Sequence, residues 1–403
     1  MPKPEPPPMG AESGGMRWAA ASSALESTTE AASDAARRVR ETLGEGPVDL
    51  AFVFFSASHA PAAEALSESL RATLAPHCLI GASARGIVST RHEVESDPAL
   101  SLLVARLPGV ELHPFLLMNS GWAAASGDER EFRRHAPHAV GAELVLLLGD
   151  PFSLHIERVL EGFNRFAPGV RVVGGMASAG VSPHGNALIL NDWVAHEGGV
   201  ALALAGALRV DVVVSQGCRP VGPPIRVTRA EQNFLIELDG QPALERAEEV
   251  LRELPESERE RLAGGLYIGR PMRGEASGPR DYLIRNLLGA DRDRGVIAVG
   301  DAVAANERIR LHVRDATTAR EDLEMLLSPQ PFDRAASAAL LFACNGRGRG
   351  LYGKPDGDIS VLQDALGGAV PAAGMFCAGE MGPVGESNFL HGHTASIAIV
   401  RPS

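Results

Sequence analysis

The chain has 403 residues, 45% of them apolar and 22% charged, an ordinary soluble composition long enough for two or three domains. Its 38 Lys and Arg are outnumbered by 50 Asp and Glu, giving a formal charge of −12, so the broad basic footprint that duplex nucleic acid or an anionic membrane requires is missing. No apolar run reaches the ~18 residues of a membrane span. The best candidate, residues 199–214, is interrupted by Arg209 and Asp211. Residues 1–10 are Pro-rich and lack the apolar stretch of a signal peptide. The four cysteines (Cys78, Cys218, Cys344, Cys377) make no CxxC pair, which argues against a zinc site or a disulfide framework. Together these features predict a reduced, cytoplasmic protein with no nucleic-acid partner, no membrane insertion and no cofactor.

Residues 19–43 read as one Ala-rich helix, with Arg37, Arg38 and Arg40 at the end that favours cations. A buried strand follows at 49–55, then the polar loop Ser56-Ala-Ser-His59 and an amphipathic helix carrying Leu66, Leu70 and Leu74. A second strand then leads into the turn Gly81-Ala-Ser83-Ala-Arg85-Gly86. The same order recurs from Leu144, with Asp150 read as a helix N-cap, Pro151 at the first helical position, and Gly174-Gly-Met-Ala-Ser178 as the turn. A third copy starts at Ala339, with the loop Cys344-Asn-Gly-Arg347-Gly348, a helix near Asp358 and the turn Gly379-Glu380-Met-Gly382. This period predicts internal duplication of one β-α-β unit. Residues 229–327 break the pattern. They read as a strand over 230–238, a helix over 244–254, a charged solvated stretch over 255–261, strands near 295–299 and 308–313, and a helix over 317–327, with a domain boundary near 230.

The best chemical candidate is the loop at 344–350. A glycine-rich polar loop leaving a buried strand is where α/β proteins hold ligands, and an arginine there can grip a carboxylate in a bidentate pair. The formal GxGxxG at 348–353 is not a dinucleotide site, because Lys354-Pro-Asp-Gly357 postpones the helix. The second candidate gathers Cys377, Glu380, His391 and His393. It admits three readings: a polar ligand pocket, a thiol nucleophile with a histidine base, or a metal held by the two histidines on one strand face. The glycine turns of the first two copies admit either close packing or backbone donors lining a cleft, and Ser56 and His59 sit at a strand end beside them.

Several of these segments resemble the FIST family of intracellular signal-transduction sensors. In the C-terminal part they are Ile268-Gly-Arg-Pro271, Asp281-Tyr-Leu-Ile-Arg285-Asn286, Gly300-Asp-Ala-Val303, Arg310-Leu-His-Val-Arg314-Asp315-Ala316, Phe342-Ala-Cys-Asn-Gly-Arg347-Gly348 and Gly379-Glu380-Met-Gly-Pro383. In the N-terminal part they are the stretch from Phe54 to His59, Gly81-Ala-Ser83 and Val173-Gly174-Gly175. The resemblance implies a FIST-N domain followed by a FIST-C domain that senses a small molecule, an amino acid being one candidate. Bacterial relatives are often joined to kinase, cyclase or chemoreceptor outputs. No such module is read here, so a separate signalling output protein is implied.

The expectation is an α/β protein of internally repeated β-α-β units forming two linked sheet domains. Residues 1–44 are a disordered Pro-rich start and leading helix, 45–230 FIST-N and 231–403 FIST-C. A small polar metabolite is expected in a cleft between the domains, lined by Ser56, His59, Ser83, Gly174, Gly175, Cys344, Asn345, Arg347, Gly348, Cys377, Glu380 and His393. Arg347 would pair with the acidic group of an amino acid and Glu380 with its basic group. Two rivals stand beside this reading: a thiol-dependent hydrolase or transferase built on Cys377 or Cys344, and a protein-interaction scaffold.

Overall fold

A computed structural model describes residues 15–403 apart from 260, 261, 263, 273–277, 279 and 280. The Pro-rich start lies outside the described residues.

The three copies are present. The first runs β1 (Arg17–Ser23), α1 (Thr28–Leu43), β2 (Val48–Ser56), α2 (Ala63–Leu74), β3 (Pro76–Ala84), the hairpin β4 (Ile87–Val88) and β5 (Glu93–Val94), then β6 (Leu100–Arg106). The second runs β7 (Val110–Leu117), α3 (Asn119–Ala125), α4 (Glu129–His135), β8 (Leu144–Gly149), α5 (Ile156–Phe166), β9 (Arg171–Met176), the hairpin β10 (Leu188–Leu190) and β11 (Trp193–Ala195), then β12 (Gly199–Gly206). The third opens on β13 (Leu208–Gln216). It is then interrupted by a region containing β14 (Cys218–Glu231), β15 (Phe234–Leu238), β16 (Gln241–Pro242), α6 (Ala243–Glu253), α7 (Glu256–Arg259), β17 (Leu266–Pro271), β18 (Tyr282–Asp291), β19 (Val296–Val299) and β20 (Arg308–Arg314). It resumes with α8 (Ala316–Leu327), β21 (Ala338–Cys344), α9 (Arg349–Tyr352), α10 (Gly357–Ala365), β22 (Ala372–Cys377), the hairpin β23 (Glu380–Val384) and β24 (Ser387–His391), and β25 (Thr394–Pro402).

Each copy pairs its two central strands in parallel, β2 with β3, β8 with β9 and β21 with β22, and lays its returning strand antiparallel beside the first. No copy completes its own sheet. The β4–β5 hairpin of the first adds to β22 of the third, the β23–β24 hairpin of the third adds to β9 of the second, and the β10–β11 hairpin of the second adds to β3 of the first. The three resulting sheets share one apolar core, to which β2 gives Leu50, Phe52 and Phe54, β8 gives Leu144, Leu146 and Leu148, and β21 gives Leu340 and Phe342. The rings of Phe54 and Phe342 meet edge to face at 5.8 Å. Helices cover the outer faces, α1 and α2 on the first sheet, α3 to α5 on the second, α8 and α10 on the third. The interrupting region has its own core around Val221, Ile225, Val250, Ile268 and Leu311.

Four element readings are corrected. Ala19 and Ala21 belong to strand β1, paired residue for residue with β6, and α1 begins after the Ser27 cap; edge pairing overrides the helix preference of alanine. Asp150 does not cap α5, which starts at Ile156. Its buried carboxylate instead accepts from Ser153 Oγ and Asn186 Nδ2. The strand drawn through 230–238 is two strands joined at Gln232, which takes a left-handed φ of 53°. Residues 256–259 of the charged stretch form the short helix α7.

One side chain shows how the copies depend on each other. Asp356, the residue before α10, makes no side-chain cap to it. The Glu93 carboxylate, arriving on the first copy's hairpin, accepts the free N–H groups of Gly357, Asp358 and Ile359 at 3.2, 3.0 and 2.9 Å. Glu93→Ala leaves these donors buried without partners, and a loss of about 2–3 kcal/mol in urea unfolding is expected.

Candidate functional site

The glycine turns do converge, by packing. An added Cβ on Gly81, Gly174 or Gly374 would lie 2.1, 1.8 or 1.9 Å from the carbonyl oxygen of Val53, Leu147 or Leu341 on the neighbouring parallel strand. Ser178 bridges the three turns. Its N–H donates to Ser83 O, its hydroxyl donates to Phe376 O at 2.6 Å, and it accepts from Arg85 N at 2.9 Å. Gly175 lies directly against Cys377, whose Sγ would be 2.2 Å from an added Cβ. Gly174 and Gly175 therefore pack strands together, which leaves them no room for a ligand.

Ser56 is held by internal bonds, and His59 is held at one ring nitrogen while its Nε2 is buried without a partner. Ser56 Oγ bonds Ser58 Oγ at 2.8 Å and accepts from Ala99 N at 3.0 Å. His59 is fully buried, its Nδ1 lies 2.9 Å from Thr28 Oγ1, and burial lowers its pKa. Ser83 Oγ accepts from Ala187 N at 2.8 Å, fastening β3 to the incoming hairpin. No hydrogen bond among the described residues joins Ser56 or His59 to the third copy's loop.

Arg347 is 1% exposed and already has its carboxylate. It donates from Nε and Nη2 to the fully buried Asp358 at 2.7 and 2.6 Å, and from Nη2 to Tyr352 Oη at 2.8 Å. The expected pairing of Arg347 with a ligand acid is thus replaced by an internal ion pair that anchors the loop to α10. Gly348 turns the chain there with φ +58° and lies against the Glu95 carboxylate.

Glu380 is fully buried too. Its Oε2 accepts from Thr394 Oγ1 at 2.8 Å and from Thr394 N at 3.2 Å, and Oε1 has no partner. Burial pushes its pKa up to about 8 against these two bonds, so the group is largely a neutral acid at pH 7 and supplies no anion for an ammonium. The raised native pKa means that stability is highest at low pH and falls as pH rises from about 4.5 to about 8. Glu380→Gln keeps the bonds to Thr394 and removes this dependence. Its advantage over the native protein in melting temperature is expected to grow through that window and then level off.

The thiols are held in their neutral forms. Burial pushes Cys344 up to about 12, with Glu380 adding to the rise, pushes Cys218 up to about 12, and raises Cys377 well above its ordinary value. None offers at neutral pH the thiolate that nucleophilic catalysis needs. The metal reading also lacks its geometry. His391 ends β24 with Nε2 3.0 Å from Gly382 O, whereas His393 sits beyond the turn in a left-handed conformation, so the two do not share a strand face. No group of three metal-ligating side chains is present among the described residues.

What remains is a set of mostly half-buried polar groups drawn from β17, β18, β20, the end of β21 and the turn before β25. Arg314, at the end of β20, donates to the carbonyls of Gly346 at 2.8 Å and Gly350 at 3.0 Å and has no carboxylate partner among the described residues. His393 lies beside the Tyr267 ring, centroids 4.2 Å apart, and its Nε2 donates to Asn286 Oδ1 at 2.9 Å. Its pKa is pushed down to about 4, first by burial and then by Arg314, Arg347 and Arg285. The imidazole is therefore neutral, with Nδ1 as an acceptor. A methyl placed on Gly346 would sit 2.6 Å from Arg314 Nη1 and 3.8 Å from both Cys344 Sγ and His393 Nδ1, so these groups pack closely about Gly346. His393 Nδ1 and the neighbouring Asn345 Oδ1 are buried and unpartnered. Of the expected residues, Cys344 and His393 meet here, at the residue that follows Asn345. Arg314, Tyr267 and Asn286 were missed as site residues, because β-pairing of the interrupting region, which no local spacing encodes, brings them in.

A separate hollow of about 550 Å³ lies between β13, the end of α8 and β23. Its charges neutralise one another: Asp211 is paired with Arg209 and Arg401, Asp333 with Arg209, and Arg171 with Glu143.

An uncharacterised protein of Mycobacterium tuberculosis (strain ATCC 25618 / H37Rv) is 39% identical over 393 residues, covering 95% of this chain and 99% of that protein. One of Mycobacterium bovis is 37% identical over 375 residues, covering 92% and 95%. Among solved structures, the cyanuric acid hydrolase of A. caulinodans aligns over 96% of this chain and 99% of its own at 9% identity, with a TM-score of 0.37 that decides nothing about fold or chemistry. The FIST N domain matches residues 49–241 and the FIST C domain residues 243–383. The chain belongs to the FIST family.

Proposed function

We propose that this protein is a sensory, ligand-binding protein that holds a small polar metabolite between the Cys344–Arg347 loop and the strands of the interrupting region, and passes the signal to a separate output protein. FIST domains are associated with signal-transduction sensing. The observation that carries the reading is the meeting of Arg314 Nη1, His393 Nδ1 and Cys344 Sγ at Gly346, with His393 Nδ1 left buried and without a partner. Buried polar atoms are nearly always satisfied, so an unpartnered imidazole nitrogen near an arginine that has no carboxylate partner among the described residues supports a missing polar ligand. The protein acts by binding rather than by covalent chemistry, which accords with the neutral thiols. No helix among the described residues is long and apolar enough to cross a membrane, consistent with placement in the cytoplasm.

A thermal-shift screen against small polar metabolites tests the reading. A ligand that binds the native state raises the melting temperature by mass action. At least one compound is expected to do so in the native protein and to fail in Arg314→Gln. A complete screen without a shift would favour the scaffold reading instead.

A further inference from the structure

The hollow of about 550 Å³ beside β13 has the open edge of a sheet as its floor. β13 pairs with β25 along its whole length, Leu208 to Gln216, and its other edge carries no strand. Alternate residues of a strand turn their N–H and C=O groups to the same side. On the open edge these are the even-numbered residues. Val210 N donates to Glu143 Oε1 at 3.2 Å, Val210 O accepts from Arg171 Nη1, and Gln216 N donates to Asp322 Oδ2 at 3.0 Å. Side chains thus close the edge at both ends. Between them, the backbone N–H and C=O of Val212 and Val214 have no hydrogen-bond partner among the described residues, and both valines line the hollow.

The walls rise on the two faces of β13. Val213 packs with α8, whereas Val214 Cγ2 lies 2.4 Å from where a Cβ on Gly382 of β23 would stand, so α8 and β23 flank the strand from opposite sides. Leu326 and Pro329 line the hollow on the α8 side, Pro383 and Val384 on the β23 side. The charged side chains there are already engaged, Asp211 with Arg209 and Arg401, Asp333 with Arg209, and Arg171 with Glu143. Apolar walls and neutralised charges suit an uncharged occupant, and alternating free donors and acceptors suit another backbone. A second copy's β13 lies at the bottom of the same hollow and cannot reach this one.

We propose that the open edge of β13 receives an extended, uncharged segment of a partner protein, which adds to the sheet as a further strand over Val212 and Val214. Two alternate residues of the segment exchange N–H···O bonds with the two valines. Its small or β-branched side chains pack on Leu326 and Pro329 on one face and on Pro383 and Val384 on the other. The stretch from Val210 to Gln216 spans about 20 Å at the strand rise, room for a segment of about four residues between the two closed ends. This inference draws nothing from the Gly346 site and stands or falls apart from it.

Amide hydrogen exchange of the full-length protein, read by NMR at Val212 and Val214, tests it with the blocked tetrapeptide acetyl-Thr-Val-Thr-Val-amide as probe. Without the probe both amides are expected to exchange at least about a hundredfold faster than that of Val213, whose N–H faces β25. The probe at about 10 mM is expected to slow both by at least about fivefold, as millimolar binding requires. Its counterpart with every amide nitrogen methylated is expected to leave them unchanged. Val212→Pro removes an N–H that makes no bond within the sheet, so the melting temperature is expected to stay near native while the probe no longer protects Val214. Val212 and Val214 amides as slow as that of Val213 in the free protein mean that the edge is already covered, by another part of the chain or by a second copy, and overturn the inference. A probe that leaves both rates unchanged overturns it, and so does a methylated probe that slows them equally. The two probes decide alone if Val212→Pro does not fold.

Discussion

Gly374→Ala is expected to abolish soluble, folded protein. The new methyl would stand 1.9 Å from Leu341 O and 2.8 Å from Leu341 C, backbone atoms at the centre of the β21–β22 pair. Relief would require separating the two strands, and β22 also carries the β4 hairpin of the first copy, so the third and first copies are disturbed together. A loss above about 4 kcal/mol belongs to this kind of backbone clash and exceeds what ordinary substitutions cost. Gly350 is the control, since nothing lies within 4 Å of its added Cβ and it sits in α9 with no positive φ. Gly350→Ala is expected to leave stability unchanged or raise it by up to about 1 kcal/mol. Soluble yield and the urea midpoint measure both. A folded Gly374→Ala protein with the native midpoint would contradict the close strand contact.

Asp358→Ala comes second in expected size, at about 3–5 kcal/mol, because it strands the Arg347 guanidinium in a site where that side chain is 1% exposed. Arg347→Ala is expected to do comparable damage by stranding Asp358, so loss of ligand binding in that variant would report a collapsed loop rather than a lost contact. Replacing both together, Arg347→Met with Asp358→Leu, removes the charge problem and is expected to recover a large part of the loss. Equilibrium unfolding of the three variants decides. A single Asp358→Ala change that costs under about 1 kcal/mol would mean that water reaches the pair and that the anchor role is wrong.

The repeated β-α-β order was legible because each copy carries the same local signals: a continuous apolar strand, a polar loop, an amphipathic helix and a glycine where two parallel strands touch. Gly81, Gly174 and Gly374 stand at equivalent places, yet the sequence alone could not say whether they served packing or a ligand. The answer lay in carbonyl oxygens on strands about 28 residues earlier in the first two copies and 33 in the third. The cyclic exchange of hairpins left no local trace, because β4, β10 and β23 are short and their partners lie in other copies. Ala19 and Ala21 misled for a related reason, since an alanine-rich edge strand and a helix start look alike until β6 is there to pair.

The candidate site was legible in its loop and illegible in its partners. Cys344, Asn345 and Gly346 follow a buried strand, which marked them. Arg347 looked like a free cation because Asp358 lies across a helix start that gives no sign of turning back. Arg314 and Asn286 reach the loop only through the register of β20, β17 and β18, so residues 30 or more positions away in sequence complete the group.

The central claim, that a ligand sits among Gly346, Arg314 and His393, is tested most directly by titration calorimetry of the best compound from the screen with native protein, Gly346→Ala and Gly350→Ala. The Gly346 methyl projects among those groups and meets the end of the Arg314 side chain rather than backbone. The account predicts affinity lower by at least about tenfold in Gly346→Ala, unchanged affinity in Gly350→Ala, and near-native melting temperatures in both. Native affinity in a folded Gly346→Ala protein would contradict it.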